Sequence, residues 1–201
     1  MSKKLTDITE QEREEFRKDI IDIKSSTKLT MVEKSEKIKE RTKEILKDFS
    51  YLDLFEALKD SKIRGNSKTL NGILYEEALE ELLKEKKKEL SMDEIDDVLQ
   101  HFQDETNKTR KFIKETTDSL LTEEEIKEKS KKLTEDDLNY KRLAVAAKEG
   151  SLSGDQKEVF ENEGKKLDIN QKQESLDVLT KYEEDISREL SSRIDTDPKK
   201  L

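Results

Sequence analysis

A Ser or Thr followed three residues later by Glu, Asp or Gln recurs along this chain, and that spacing constrains the fold more than any other feature. In a capping box the hydroxyl accepts from the backbone of the third helical residue, whose side chain reaches back to the cap backbone. The pairs Thr9 with Glu12, Thr30 with Glu33, Ser50 with Asp53, Ser91 with Glu94, Thr122 with Glu125, Thr134 with Asp137 and Ser153 with Gln156 fit. An independent mark is a hydrophobic staple, an apolar residue just before the cap packing on one four residues after it. Phe49 with Leu54, Leu90 with Ile95, Leu121 with Ile126, and Leu133 with Leu138 supply it. The first caps are spaced at similar intervals, but the residues between them do not align as a repeat.

Helices are therefore expected near 10–24, 31–48, 51–61, 70–90, 92–119, 123–132, 135–149, 155–163 and 169–194. The fold class is all-α, an irregular bundle of eight or nine helices. Two of them (70–90 and 92–119) are longer, and a long helix lies at the C-terminal end. One Pro and five Gly are too few turn formers for a β-rich fold. Gly150 and Gly164 fall where C-terminal caps belong. Arg64-Gly65-Asn66-Ser67 marks a loop. The best domain split is near Ser119–Thr122, giving 1–120 and 121–196 with a frayed tail at 197–201; one continuous domain is the alternative.

Composition decides whether such a chain has a core. Charged residues make 45% of it and hydrophobic ones 30%. Leu, Ile, Val and Phe make 49 of 201 residues, above the roughly 20% below which disorder is the default. The core is thus thin but present. Residues 70–90 put Leu70, Ile73, Leu74, Ala78, Leu79, Leu82 and Leu83 on one stripe, with Glu76, Glu77, Glu80, Glu81 and Lys84 opposite. Leu143-Ala144-Val145-Ala146-Ala147 is apolar all round and is expected near the centre of its domain. Leu176, Leu179, Tyr182, Ile186 and Leu190 form a narrower seam, as in a coiled coil.

The helix from 92 has heptad positions Met92, Ile95, Leu99, Phe102, Thr106, Thr109, Ile113, Thr116 and Leu120. Its ends are apolar and its middle is Thr. One reading is that the helix leaves the core there and is solvated. The other is that Thr106, Thr109 and Thr116 face a partner or specify one register. On that second reading, Leu at Thr106 and Thr109 raises stability and weakens partner binding.

No motif points to catalysis, and the chain is expected not to be an enzyme. His101 is the one histidine and there is no Cys, so disulfides, Cys-ligated zinc and paired-histidine metal sites are excluded. No cofactor or metal is expected. Carboxylate clusters at 76–81, 93–97 and 123–125 lie in first turns or on polar faces, where the helix dipole favours anions. The run Lys84–Lys88 ends a helix, where cations suit the dipole. The basic locale Lys59, Lys62, Arg64 and Lys68 has few aromatics nearby. The net charge of -9 argues against direct nucleic-acid binding. No run approaches the ~18 apolar residues of a membrane span. The N-terminal Met1–Asp7 stretch lacks the apolar run of a signal peptide. The expected location is cytoplasmic, or packaged in a virion from the cytoplasm.

These features predict a protein that contacts other proteins or itself: a structural or assembly component, with a role in a bacteriophage or other mobile element suggested by composition and size alone. The alternative is an acidic module that inhibits or regulates a host protein, with its carboxylates standing in for nucleic-acid charge.

Overall fold

A computed structural model of the chain describes residues 7–130, 140–150, 152 and 154–195. Among these there is no β-strand. The helices are α1 (Glu10–Ser25), α2 (Met31–Leu46), α3 (Tyr51–Ile63), α4 (Leu70–Glu89), α5 (Met92–Asp118), α6 (Glu123–Ser130), α7 (Tyr140–Lys148) and α8 (Gly154–Asp195), with a 3-10 turn at Asn66–Lys68. The chain forms two compact units, Met1–Phe102 with Lys181–Leu201, and Gln103–Thr180.

The expected caps start these helices. Thr9 and Thr30 form complete capping boxes with Glu12 and Glu33. Ser91 with Glu94 and Thr122 with Glu125 exchange the same two bonds. Ser50 accepts from the Asp53 N–H, and its hydroxyl donates to the Asp53 carboxylate. The backbone N–H groups of Thr30, Ser91 and Thr122, followed by their hydroxyls, hold Glu33, Glu94 and Glu125 below the usual carboxylate range. Gly150 ends α7 with φ +69°, a conformation that favours glycine.

Gly164 does not end a helix. The expected break between 163 and 169 is absent, and α8 runs through it for 42 residues. A mid-helix glycine costs only about 1 kcal/mol against Ala, which the packing of neighbouring turns outweighs. The expected start at 135 with its Thr134 cap and Leu133 staple, the Ser153 cap and the tail at 197–201 lie outside the described residues.

The first unit is centred on α3. Tyr51, Leu54, Phe55, Ala57 and Leu58 are buried, and even Lys59 and Ser61 are covered. Around it close Phe49, Leu74, Ala78, Leu79, Leu82 and Leu83, with Ile95 and Phe102 from α5 and Tyr182 and Ile186 from α8. The Phe55 ring lies 4.6 Å from Phe102 and 5.3 Å from Tyr182, tilted against both. Burial drives the Tyr51 and Tyr182 hydroxyls well above the ordinary tyrosine range.

Helix α4 packs against both α2 and α3, so its acidic face is not simply solvated. Glu76 is buried and accepts from the Ser61 hydroxyl at 2.8 Å. Glu81 meets Lys39 at 3.0 Å and Lys43 at 3.3 Å, and Lys43 also reaches Glu85 at 2.8 Å. Burial disfavours ionised Glu81, but the two lysine bonds outweigh it and hold its carboxyl below the usual range. At the far end of α4, Arg193 donates to the carbonyls of Leu90, Lys87 and Lys88. A guanidinium there satisfies acceptors that a helix C-terminus leaves open. Lys87 is held by both oxygens of Asp185 at 2.9 Å.

The second unit is more polar. In it, α5 and α8 run antiparallel. The Leu121 N–H donates to buried Asn162, Lys165 reaches the Ser119 carbonyl, and Lys172 sits over the Phe112 ring. The turn at Ser119–Thr122, read from sequence as a domain boundary, is thereby tied inside this unit. The Ala144–Ala147 segment is not the centre expected of it: Val145 is 54% exposed and the alanines are half-buried. Alanines bury too little apolar area to anchor a core.

Candidate interaction surface

The Thr seam of α5 is covered by the chain itself. Thr106 and Thr109 are buried, and Thr116 is half-buried. The buried positions Ile95, Phe102, Thr106 and Thr109 follow the heptad, so the seam does not turn out to solvent at the threonines. Continuing the register set by Phe112 and Lys172 places Thr109 level with Ser175, which is also buried. Buried Asn162 adds a polar group farther along. Between buried Val159 and Leu179 of α8 the seam thus carries Thr, Ser and Asn at positions where a coiled coil would carry Leu.

One of these groups is unsatisfied. The Thr106 hydroxyl is buried without a hydrogen-bond partner, and such a group costs about 1–3 kcal/mol. Thr106→Val keeps the shape and removes the hydroxyl. It is expected to stabilise the protein by about 1–2 kcal/mol, read as a higher urea midpoint with an unchanged slope. A lower midpoint would mean that the hydroxyl is hydrogen-bonded in solution.

Little else is arranged for chemistry. His101 lies 3.7 Å from the Glu56 carboxylate, which also binds Lys59 at 2.6 Å. Among the described residues no group of three or more His, Cys, Asp or Glu is placed to hold a metal ion, and no helix is long and apolar enough to cross a membrane.

Two grooves in the first unit have distinct chemistry. The larger, about 980 Å³, is lined by Asp7, Asp48, Glu89, Glu94 and Asp97 against Lys47 and Lys86. The smaller, about 430 Å³, lies where the ends of α1, α2 and α4 meet. Met31 and Leu70 line it and are 66% and 50% exposed, while buried Ile38 is part of its floor. Lys24 and Lys34 are its charged residues, with no carboxylate in the lining. The Lys34 ammonium donates to the Lys24 carbonyl at 2.7 Å, joining α1 to α2.

Sequence reasoning identified the basic loop next to this groove but not the groove. Leu70 and Ile73 carry the helical period of a core stripe, yet Ile73 is 40% exposed as well. The available signal was Met31-Val32 directly after the Thr30 cap, two apolar residues in a first turn. Their meeting with Leu70 is long-range and leaves no local pattern. No family model, curated protein or solved structure matches the chain.

Proposed function

We propose that the chain is a non-enzymatic helical interaction protein that works as a structural or assembly component. The observation that carries this reading is the inverted economy of the second unit. Among its described residues it buries Thr106, Thr109, Asn162 and Ser175 beside Val159 and Leu179, so polar side chains outnumber apolar ones inside it, while Phe112, Val145 and Leu167 remain exposed. A unit whose own core is this polar gains stability when another chain buries its exposed apolar side chains. The seam then sets which register the helices adopt, as polar core positions do in coiled coils at a cost in stability.

The solution mass tests this. Light scattering after size-exclusion chromatography is expected to give a multimer of the 23.5 kDa chain that persists at high salt, because the association is apolar. A single-chain mass at both low and high salt overturns the assembly role. The carboxylate-lined groove favours a second reading, an acidic module that binds a basic partner. Such binding weakens steeply with salt, and salt-insensitive capture of a basic protein removes it.

A further inference from the structure

Ten large apolar residues are prominently exposed among the described ones, and four of them (Met31, Val32, Leu70 and Ile73) belong to the two segments that meet at the 430 Å³ groove. Ile21, 62% exposed, lies three residues before Lys24 and so adjoins it on the surface of α1. Apolar residues scattered singly need no explanation, whereas a contiguous patch marks an interaction site. Met31 and Leu70 line one concavity, with Ile38 beneath them. Its charges are Lys24 and Lys34, and exposed Lys28 lies in the turn between them. Asp22, Glu33 and Glu36 flank these lysines in sequence, but none of them lines the groove; Glu33 is turned to the Thr30 cap and Glu36 lies 3.4 Å from Lys39. A chain of net charge -9 thus presents a lysine-rimmed apolar groove at one place.

We infer that this groove docks an acidic amphipathic helix of a partner protein, with apolar side chains entering between Met31 and Leu70 and carboxylates meeting Lys24 and Lys34. The inference rests on the reading of the chain as an interaction protein. An apolar stripe laid into a groove is a recurring mode of helix recognition, and opposite charge at the rim supplies register and association rate. A bilayer is a poorer occupant. It is flat against a concave site.

The test uses the full chain and a fluorescein-labelled peptide of Leu and Glu with helical periodicity, beside the same peptide with Lys for Glu. Fluorescence anisotropy is expected to show saturable binding of the Leu/Glu peptide, weaker at high salt, and none of the Leu/Lys peptide. Lys24→Glu with Lys34→Glu is expected to weaken binding by about tenfold or more. Met31→Ser with Leu70→Ser is expected to do the same while leaving the thermal melt unchanged, since both residues are exposed. Equal binding of the two peptides, no binding of the Leu/Glu peptide, or unaltered binding by either double variant overturns the inference. So does a multimer that dissociates on Met31→Ser with Leu70→Ser, because a second copy would then occupy the groove, and so does binding to anionic vesicles lost in the same variant. A multimer that survives these changes while the peptide fails to bind sinks the groove and leaves the assembly role standing. A single-chain mass with peptide binding intact does the reverse.

Discussion

Phe55→Ala is expected to destabilise the first unit by about 3–5 kcal/mol, the usual cost of emptying a fully buried phenylalanine site. The ring is completely covered and is the one that touches both Phe102 of α5 and Tyr182 of α8. The Lys59 ammonium sits 5.6 Å from its centroid. Removing it therefore opens a cavity among α3, α5 and α8 and cancels two tilted ring contacts together. Because native domains are stable by only about 5–15 kcal/mol, the loss is a large share of the total. For a chain of this length it lowers the melting temperature by roughly 6–20 °C. There is no Trp, and three of the four tyrosines, Tyr51, Tyr75 and Tyr182, lie in the first unit, with Tyr140 in the second, so the near-ultraviolet tyrosine signal follows mainly the first unit. Phe112→Ala is the control: that ring is 38% exposed, and its loss is expected to cost about 1 kcal/mol or less. Similar effects from the two substitutions would mean that α3 is not the centre of its unit.

That α3 holds this place was only partly legible in the sequence. Ser50 and the Phe49–Leu54 staple announce where it begins, because caps are local chemistry between residues three or four apart. Its centrality is not local. Tyr51, Leu54, Phe55, Ala57 and Leu58 wrap around more than one face, so no single stripe stands out, and buried Lys59 and Ser61 interrupt the apolar pattern. The same limit hid Glu76, which reads as a solvent-face residue until Ser61 is brought to it by folding. The heptad of α5 was legible as a period, and burial of Thr106 and Thr109 follows it. What covers that seam was not legible, because the α8 partner stretch is many residues away and is itself polar at Asn162 and Ser175. The groove at Met31 and Leu70 was hidden for a related reason: exposure of an apolar residue is decided by what the chain places beside it.

Glycine shows how far context can reverse a local rule, and two substitutions of the same kind are expected to differ in sign. Both Gly72 and Gly164 lie inside helices at ordinary negative φ, where Ala is favoured over Gly by about 1 kcal/mol. At Gly164 nothing lies within 4 Å of an added Cβ, so Gly164→Ala is expected to stabilise the protein by about 0.5–1 kcal/mol. At Gly72 the added Cβ would lie 1.6 Å from the Asn66 carbonyl oxygen and 2.4 Å from its carbon. That carbonyl accepts from the Thr69 N–H, and the Thr69 hydroxyl accepts from the Gly72 N–H at 3.1 Å to cap α4. The obstacle is backbone, so no rotamer change relieves it. Either the 66–69 turn moves off α4 and the cap is lost, or the first turn of α4 unwinds. Overpacking of this kind costs about 1–3 kcal/mol and a lost cap about 1 kcal/mol. Gly72→Ala is therefore expected to destabilise by about 2–4 kcal/mol. Because Thr69, Leu70 and Asn71 line the small groove, it should also weaken whatever binds there. Parallel urea titrations of the two variants decide the matter. If both move the midpoint upward, the turn does not close on α4 as the structure has it, and the rim of the groove has a different shape in solution.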